Sequence, residues 1–281
     1  MGFRGRPTQE QLTSAVRAEA RSIDLDGAIR RDGAENVVLE TEQWIFRFRR
    51  DHVDFDRELA VLAALGDRLP VTTPRVEWVG ERSRFCAYRK ITGWRFDAER
   101  YRSAERCQQL VLATSLAEYL AAMHSTLTKS EIAELGISDF FSLHQRADLI
   151  NLNDIPAAIR NDIADLLGRA RRAADQVRAA PAVLLQNDVT TDNLVFDDVV
   201  GRLCGAWDFS GVSVGAATFD FRYLLREPDP LTDDVVRTYE QLTGQEINRE
   251  AFLTAARIGD VLHRLRHGTS DELVRMVRRW R

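Results

Sequence analysis

The chain has 281 residues, 44% of them hydrophobic, and 39 Lys and Arg stand against 43 Asp and Glu for a formal charge of −4. That length supports one large core or two smaller ones, and without a broad excess of positive charge nothing advertises nucleic acid as a partner. No run approaches the roughly 20 apolar residues that cross a bilayer, and residues 1–10 contain no apolar segment of the export type, so a cytoplasmic protein with no membrane partner is expected.

Three cysteines, Cys86, Cys107 and Cys204, are far apart and in no CxxC spacing, which predicts free thiols. Only Lys90 and Lys129 among the basic residues are lysine, so arginine is expected at positions where related chains carry lysine.

In chain order, residues 8–20 read as a helix, with Leu12, Val16 and Ala20 at i, i+4 and i+8. Strands are predicted at 36–40 and 43–48. In the second, Trp44, Phe46 and Phe48 alternate with Ile45, Arg47 and Arg49, which puts both charges on one face. A helix over 56–65 ends at Gly66, and strands follow at 75–79 and 85–89. Residues 90–93 mark a crossover, after which the pattern turns helical. One long helix is predicted over 104–124, with Leu110, Leu112, Leu116, Leu120 and Met123 inward, and another over 155–179. Short strands are predicted at 183–186, 194–196 and 203–207, and helices at 219–226, 233–243, 249–267 and from 271 onward. The expected architecture is α+β in two lobes: a small sheet-rich unit over 1–91 and a larger helical unit over 92–281, with a cleft between them.

Two segments carry chemistry. Leu185-Gln186-Asn187-Asp188 leads through Asp192-Asn193 to Leu194-Val195-Phe196, and Trp207-Asp208-Phe209 follows about 20 residues after Asp188. Each acid comes just after a predicted strand, where a loop side chain reaches into a cleft. Phosphoryl transfer needs one carboxylate to take the proton of a hydroxyl, and an amide oxygen plus a second carboxylate to hold Mg²⁺. Asp188, Asn193 and Asp208 supply that set, although Asx residues on a loop also serve simply to cap and turn it. His263 and His267, at i, i+4, have no third ligand in view and read as a solvated helix face. Trp44 and Trp78 read as core residues.

In this order the motifs resemble the aminoglycoside phosphotransferase and choline kinase superfamily of protein-kinase-like enzymes, and more closely the aminoglycoside 2″-phosphotransferases. The likeness runs from about Gly33 to Leu225 through Asn36-Val37-Val38, Trp44-Ile45-Phe46-Arg47-Phe48, Glu58, Lys90-Ile91-Thr92-Gly93, Leu120 to His124, the Asn187-Asp188 loop, Trp207-Asp208-Phe209 and Phe219-Asp220-Phe221. The resemblance implies Asp188 as catalytic base and Asn193 and Asp208 as Mg²⁺ ligands. It puts Arg47 in the place of the phosphate-binding lysine and Glu58 as its helix partner. Tyr88, Arg89, Lys90 and Ile91 become the hinge against the nucleotide base, and the loop from Gly33 to Asn36 the cover over the phosphates of ATP or GTP.

Three departures accompany it. Arg47 replaces lysine, a planar fork in place of a point charge. Gln186 stands where relatives carry histidine, in a position expected to support the loop. Ser210-Gly211 follows Asp208-Phe209 where glycine and an acid are common. The acceptor pocket is expected from the helical lobe, with Asp220, Glu227, Asp229, Asp233, Asp234 and Asp260 as an acidic wall for a cationic substrate. The resulting expectation is an NTP- and Mg²⁺-dependent kinase of a hydroxyl on a small polar molecule, with an aminoglycoside first. The alternatives are a macrolide, another antibiotic, an endogenous sugar or amino alcohol, or a nucleotide-binding protein with little transfer activity.

Overall fold

A five-stranded antiparallel sheet lies against a mainly helical body in the computed structural model, which describes residues 7–20, 23–33, 36–49, 55–140, 142–227 and 229–280. Helix α1 (Gln9–Glu19) opens with a reciprocal cap: the Thr8 hydroxyl accepts from the Gln11 amide while the Gln11 side chain accepts from the Thr8 amide. Strands β1 (Ile29–Asp32), β2 (Asn36–Glu40) and β3 (Trp44–Arg49) form a meander, helix α2 (Phe55–Leu65) follows, and β4 (Val76–Gly80) and β5 (Phe85–Arg89) complete the sheet in the order β1-β2-β3-β5-β4. Strand β1 was not expected. With one apolar residue in Ile-Arg-Arg-Asp it has no alternation to read, and as an edge strand it can afford polar side chains.

The alternation in β3 sorts the two faces of the sheet. Phe46 and Phe48 turn to one side and pack with Phe85 at ring separations of 6.0 and 5.1 Å, beneath Leu12 and Val16 of α1. On the other side Ile45 joins Phe55, Cys86 and Tyr88. Trp78, expected in the core, is 37% exposed on the edge strand β4.

The second lobe begins with α3 (Ala98–Ser103) and α4 (Arg106–Ser125) rather than one helix over 104–124. Ala104 and Glu105 are extended, and Glu105 caps the new helix. Leu112, Leu116, Leu120 and Met123 are buried as expected, but Leu110 is exposed. Two short helices that were not expected follow, α5 (Lys129–Glu134) and α6 (Leu143–Asp148), each opened by a capping box, Thr128 with Glu131 and Ser142 with Gln145, then α7 (Arg160–Val177). Strands β6 (Ala182–Leu185), β7 (Leu194–Phe196), β8 (Leu203–Ala206) and β9 (Ser213–Ala216) make two separate ribbons, β6 with β9 and β7 with β8. The strand before Asp208 therefore pairs with the strand after Asn193, not with the one before Asp188. Residues 219–226, expected as an α-helix, are tighter 3-10 turns. Helices α8 (Asp229–Thr243), α9 (Arg249–His267) and α10 (Ser270–Arg278) close the lobe. Among the described residues no helix is long and apolar enough to cross a membrane.

Two connecting segments stitch the lobes to the β7–β8 ribbon. Thr72 exchanges backbone bonds with Cys204 and Ala206 at 2.9 and 3.0 Å, and Trp94 pairs with Phe196 at 2.7 and 2.9 Å. Gly205 lies at this crossing: a Cβ there would stand 2.4 Å from Ile91 Cγ2 and 2.6 Å from Val195 Cγ2, both stiff β-branched side chains. Replacing Gly205 with valine is therefore expected to cost about 1–3 kcal/mol through overpacking, read as a lowered midpoint in urea denaturation. An unchanged midpoint would show that the lobes part easily here.

Candidate active site

A cleft of about 1030 Å³ runs between the lobes. Its floor is the loop joining β6 to β7, and the backbone of that loop is held from below. Asp220, 1% exposed, accepts the amides of Gln186 at 2.9 Å and Asn187 at 2.7 Å. Its Oδ2 also meets His124 Nε2 at 3.0 Å, and His124 Nδ1 meets the Tyr239 hydroxyl at 2.8 Å. Gln186, fully buried, accepts from the Tyr119 hydroxyl at 2.6 Å and donates to the Trp207 carbonyl at 3.0 Å. It thus ties the strand before Asp188 to the strand before Asp208, which is the supporting part expected of it.

Asn187 stands at φ 70°, in the left-handed region, which asparagine tolerates better than most residues. The bonds around it over-determine that conformation. Besides its amide on Asp220, its Nδ2 donates to the Gly211 carbonyl at 2.6 Å and to Ser213, and its carbonyl accepts from Arg222. Asp208 is likewise left-handed at φ 62°. Such residues cost about 1–3 kcal/mol each and persist where the surroundings dictate them.

At the next residue, Asp188, Oδ2 accepts from Asn193 Nδ2 at 2.8 Å, and Nδ2 also donates to the Asp188 carbonyl at 2.9 Å. The amide nitrogen of Asn193 is thereby committed to Asp188, which leaves its oxygen as the available donor atom. Asp208 shares the cleft with Asp188. Its Oδ1 accepts from the Ser210 hydroxyl at 2.7 Å, so the serine at the departure position fixes the carboxylate. One carboxylate and one amide oxygen, both hard donors, fit Mg²⁺, which takes few protein ligands and keeps waters and phosphate for the rest of its shell.

The roof comes from the sheet. Arg47 on β3 is buried and forms an ion pair with Glu58 of α2, and its other Nη stands 3.8 Å from Asp208 Oδ1. Burial opposes the Arg47 charge, but its neighbours, Glu58 foremost, outweigh this together and raise its pKa. Gly33, Lys90 and Ile91 also line the cleft with Tyr88, Ile45 and Trp207. Ala34 and Glu35 of the expected phosphate loop lie outside the described residues. Lys90 and Arg31 converge on Glu40; burial raises its pKa, and these hydrogen bonds outweigh that and hold it below the ordinary value. The Arg89 side chain does not enter the cleft. It stacks 4.0 Å over Trp44 and accompanies Gln43 at 3.0 Å. Arg95, which no motif singles out, does enter and stacks 4.3 Å over Trp207.

Among the described residues the acidic wall is not assembled. Asp220 is consumed by the loop backbone. Asp234 is buried and doubly bonded by Arg106, at 2.5 and 2.7 Å, and Asp233 pairs with Arg249. Asp260 pairs with Arg226 at 3.1 Å and is absent from the cleft lining. Glu227 is half-buried and accepts from the Thr191 hydroxyl at 2.7 Å; burial raises its pKa. The side chain of Asp229 lies outside the described residues. An arginine-rich chain finds partners for these helix acids, which a count of acids along the sequence cannot reveal.

A small antiparallel sheet, an arginine–glutamate pair above and an Asp-Asn loop with a second acid below define a protein-kinase-like small-molecule phosphotransferase. The chain belongs to the phosphotransferase enzyme family, whose model matches residues 27–255. No curated protein sequence matches it. Among solved structures it is similar to the GDP complex of wild-type aminoglycoside 2′-phosphotransferase-IIIa, with a TM-score of 0.80 at 17% identity over 96% of this chain and 98% of that one. It is also similar to a streptomycin–ATP ternary complex of an aminoglycoside 2″-phosphotransferase, with a TM-score of 0.67 at 16% identity over 98% and 97%. A macrolide 2′-phosphotransferase from Brachybacterium faecium gives a TM-score of 0.67 at 21% identity over 94% and 97%. At these identities the likenesses establish the fold.

Two expectations test this site. Asp220→Ala strips the acceptor from two buried amides and a histidine, and is expected to lower unfolding stability by about 2–4 kcal/mol; Asp220→Asn, keeping one carbonyl oxygen, should lose less. Equal stability of all three proteins in urea would show that the brace carries no load. Burial pushes the Cys86 thiol beside Arg47 up to about 11, with the Arg47 charge only partly opposing it, whereas Cys107 is exposed. At pH 8 a maleimide is expected to label Cys107 long before Cys86, read by peptide mass spectrometry; early labelling of Cys86 would mean the sheet opens above the cleft.

Proposed function

We propose that the protein is an NTP- and Mg²⁺-dependent O-phosphotransferase acting on a hydroxyl of a small polar molecule. The observation that carries this reading is the bond from Asn193 Nδ2 to Asp188 Oδ2 at 2.8 Å, in a cleft that Asp208 also lines. It orients the base and reserves the amide oxygen for a metal. In this reading Asp188 receives the proton of the acceptor hydroxyl as its oxygen bonds to the γ-phosphorus, while the bond from that phosphorus to the nucleoside diphosphate oxygen breaks. Asn193 and Asp208 would hold Mg²⁺, which would supply charge neutralisation at the phosphate oxygens. Arg47, kept in place by Glu58, presents its fork to phosphate oxygens, a contact arginine makes in a planar, two-pronged way. Tyr88, Lys90 and Ile91 meet the nucleotide base, and the chain divides functionally near residue 91. Either ATP or GTP serves as donor in this reading.

For the acceptor, the named substrates of the structural neighbours favour an aminoglycoside, with a macrolide second.

Asp188→Asn is expected to reduce kcat by about 10²–10⁴-fold with nucleotide affinity nearly unchanged, and Asp208→Ala to abolish metal-dependent turnover. The measurement is phosphorylated product by mass spectrometry over a panel of hydroxylated acceptors, with nucleotide binding followed by calorimetry. Full turnover by either variant would end the assignment. Nucleotide binding by the wild-type chain with no product across the panel would favour a binding protein over an enzyme.

A further inference from the structure

Arg95 enters the cleft just past the crossover at Gly93, and it touches both segments that carry the proposed metal donors. Its neighbour Trp94 is pinned to Phe196 by paired backbone bonds at 2.7 and 2.9 Å, so the side chain leaves from a fixed point. From there the guanidinium lies 4.3 Å over the ring of Trp207, and its Nη1 donates to the Asp192 carbonyl. Trp207 immediately precedes Asp208, and Asp192 immediately precedes Asn193. One side chain thus grips the residue next to each donor.

The two segments are also joined to each other. The Trp207 amide donates to the Asn193 carbonyl at 3.0 Å, and Gln186 Nε2 donates to the Trp207 carbonyl at 3.0 Å. Those bonds fix the backbone of Trp207, while Arg95 covers a face of its ring. The next residue, Asp208, stands at φ 62°, a conformation that lasts only where its surroundings dictate it. Across the cleft floor Asp192 lies in the three-residue 3-10 turn Thr191–Asn193. So short a turn has few bonds of its own, and an outside donor on its middle carbonyl adds much to its rigidity. An exposed cation–π stack by itself is a weak contact. The leverage of Arg95 comes from its span, because a shift of either anchor shifts a residue beside a metal donor.

We propose that Arg95 is a positioning residue: by clamping the Asp192 carbonyl to the Trp207 ring it sets the spacing of Asn193 and Asp208, and with it the coupling between a divalent cation and the nucleotide. This role rests on the phosphotransferase reading for the cation. Arginine suits it for a physical reason. Its planar group stacks by its face and donates in its own plane at once, whereas a lysine ammonium offers a single point charge. Because Arg95 also lines the cleft, direct contact with the nucleotide is the rival role. The two differ in whether the cation must be present for the effect to show.

The test measures affinity of the full chain for ATP and for GTP by calorimetry, once with excess Mg²⁺ and once with EDTA. The ratio of the two affinities reports the coupling between cation and nucleotide, which by linkage is the same whichever ligand is titrated. Arg95→Ala is expected to shrink that ratio by at least about fivefold, while affinity in EDTA stays within about twofold of wild type. Mn²⁺ binding in the presence of nucleotide, followed by electron paramagnetic resonance, should weaken by the same factor, a readout independent of turnover. Arg95→Lys keeps the charge without the planar face and is expected to lie closer to Arg95→Ala than to wild type. Thermal midpoints check that each variant is folded, and the lysine variant carries the test should the alanine one not fold. An unchanged ratio in a folded variant, full recovery by Arg95→Lys, or an equal loss with Mg²⁺ and with EDTA would overturn the clamp, the last by revealing a direct nucleotide contact. Were the wild-type chain itself to gain nothing from Mg²⁺, the cation part of the phosphotransferase reading would fall, and the clamp with it.

Discussion

A single buried carboxylate organises the centre of this molecule. Asp220 is surrounded by His124 from α4 and the amides of Gln186 and Asn187, so a side chain after β9, a helix and the cleft floor share one pair of oxygens. Everything chemical sits on that arrangement. Asn187 can occupy the left-handed region because its amide and carbonyl are both claimed, by Asp220 and Arg222. That conformation turns the chain between buried β6 and Asp188 at the cleft. Burying a charge is tolerable only with full hydrogen bonding, and Asp220 has it from backbone donors whose own burial demands an acceptor. Each side removes the other's penalty.

The parts of this design that were legible in the sequence are those that local pattern dictates. The alternation of Trp44 to Arg49 separated a core face from a charged face, and Arg47 does meet Glu58 across α2. The five-residue spacing of Asp188 and Asn193 brought the two together through a single turn. What stayed hidden depends on partners distant in sequence. Strand β1 is an exposed edge with no hydrophobic period. Asp220 read as a pocket acid because an Asp between two phenylalanines gives no sign of which group it will face. Arg146 and Arg222 lie 76 positions apart, taking 146 from 222, and meet only because Phe140 stands between them.

The scarcity of lysine has physical consequences at several of these places. Arginine stacks on rings where lysine has only a point charge to offer, and the chain uses that over Trp44, Phe140, Trp207 and Tyr223. At Arg47 the fork lets one guanidinium serve Glu58 and stand near Asp208 at once. A compositional bias that needs no functional origin has thus been taken up into packing around the cleft.

The stitching of Thr72 and Trp94 onto the β7–β8 ribbon bears on how a substrate gets in. Those four backbone bonds join both connecting segments to the strand that follows Asn193 and the strand that precedes Asp208. Splaying the lobes apart as free bodies would break the bonds together, whereas rocking the sheet about this patch keeps them. A tilt about this seam is the opening that costs none of these bonds. Thr72, Trp94, Phe196, Cys204 and Ala206, bonded into the seam, form the fixed side of such a tilt.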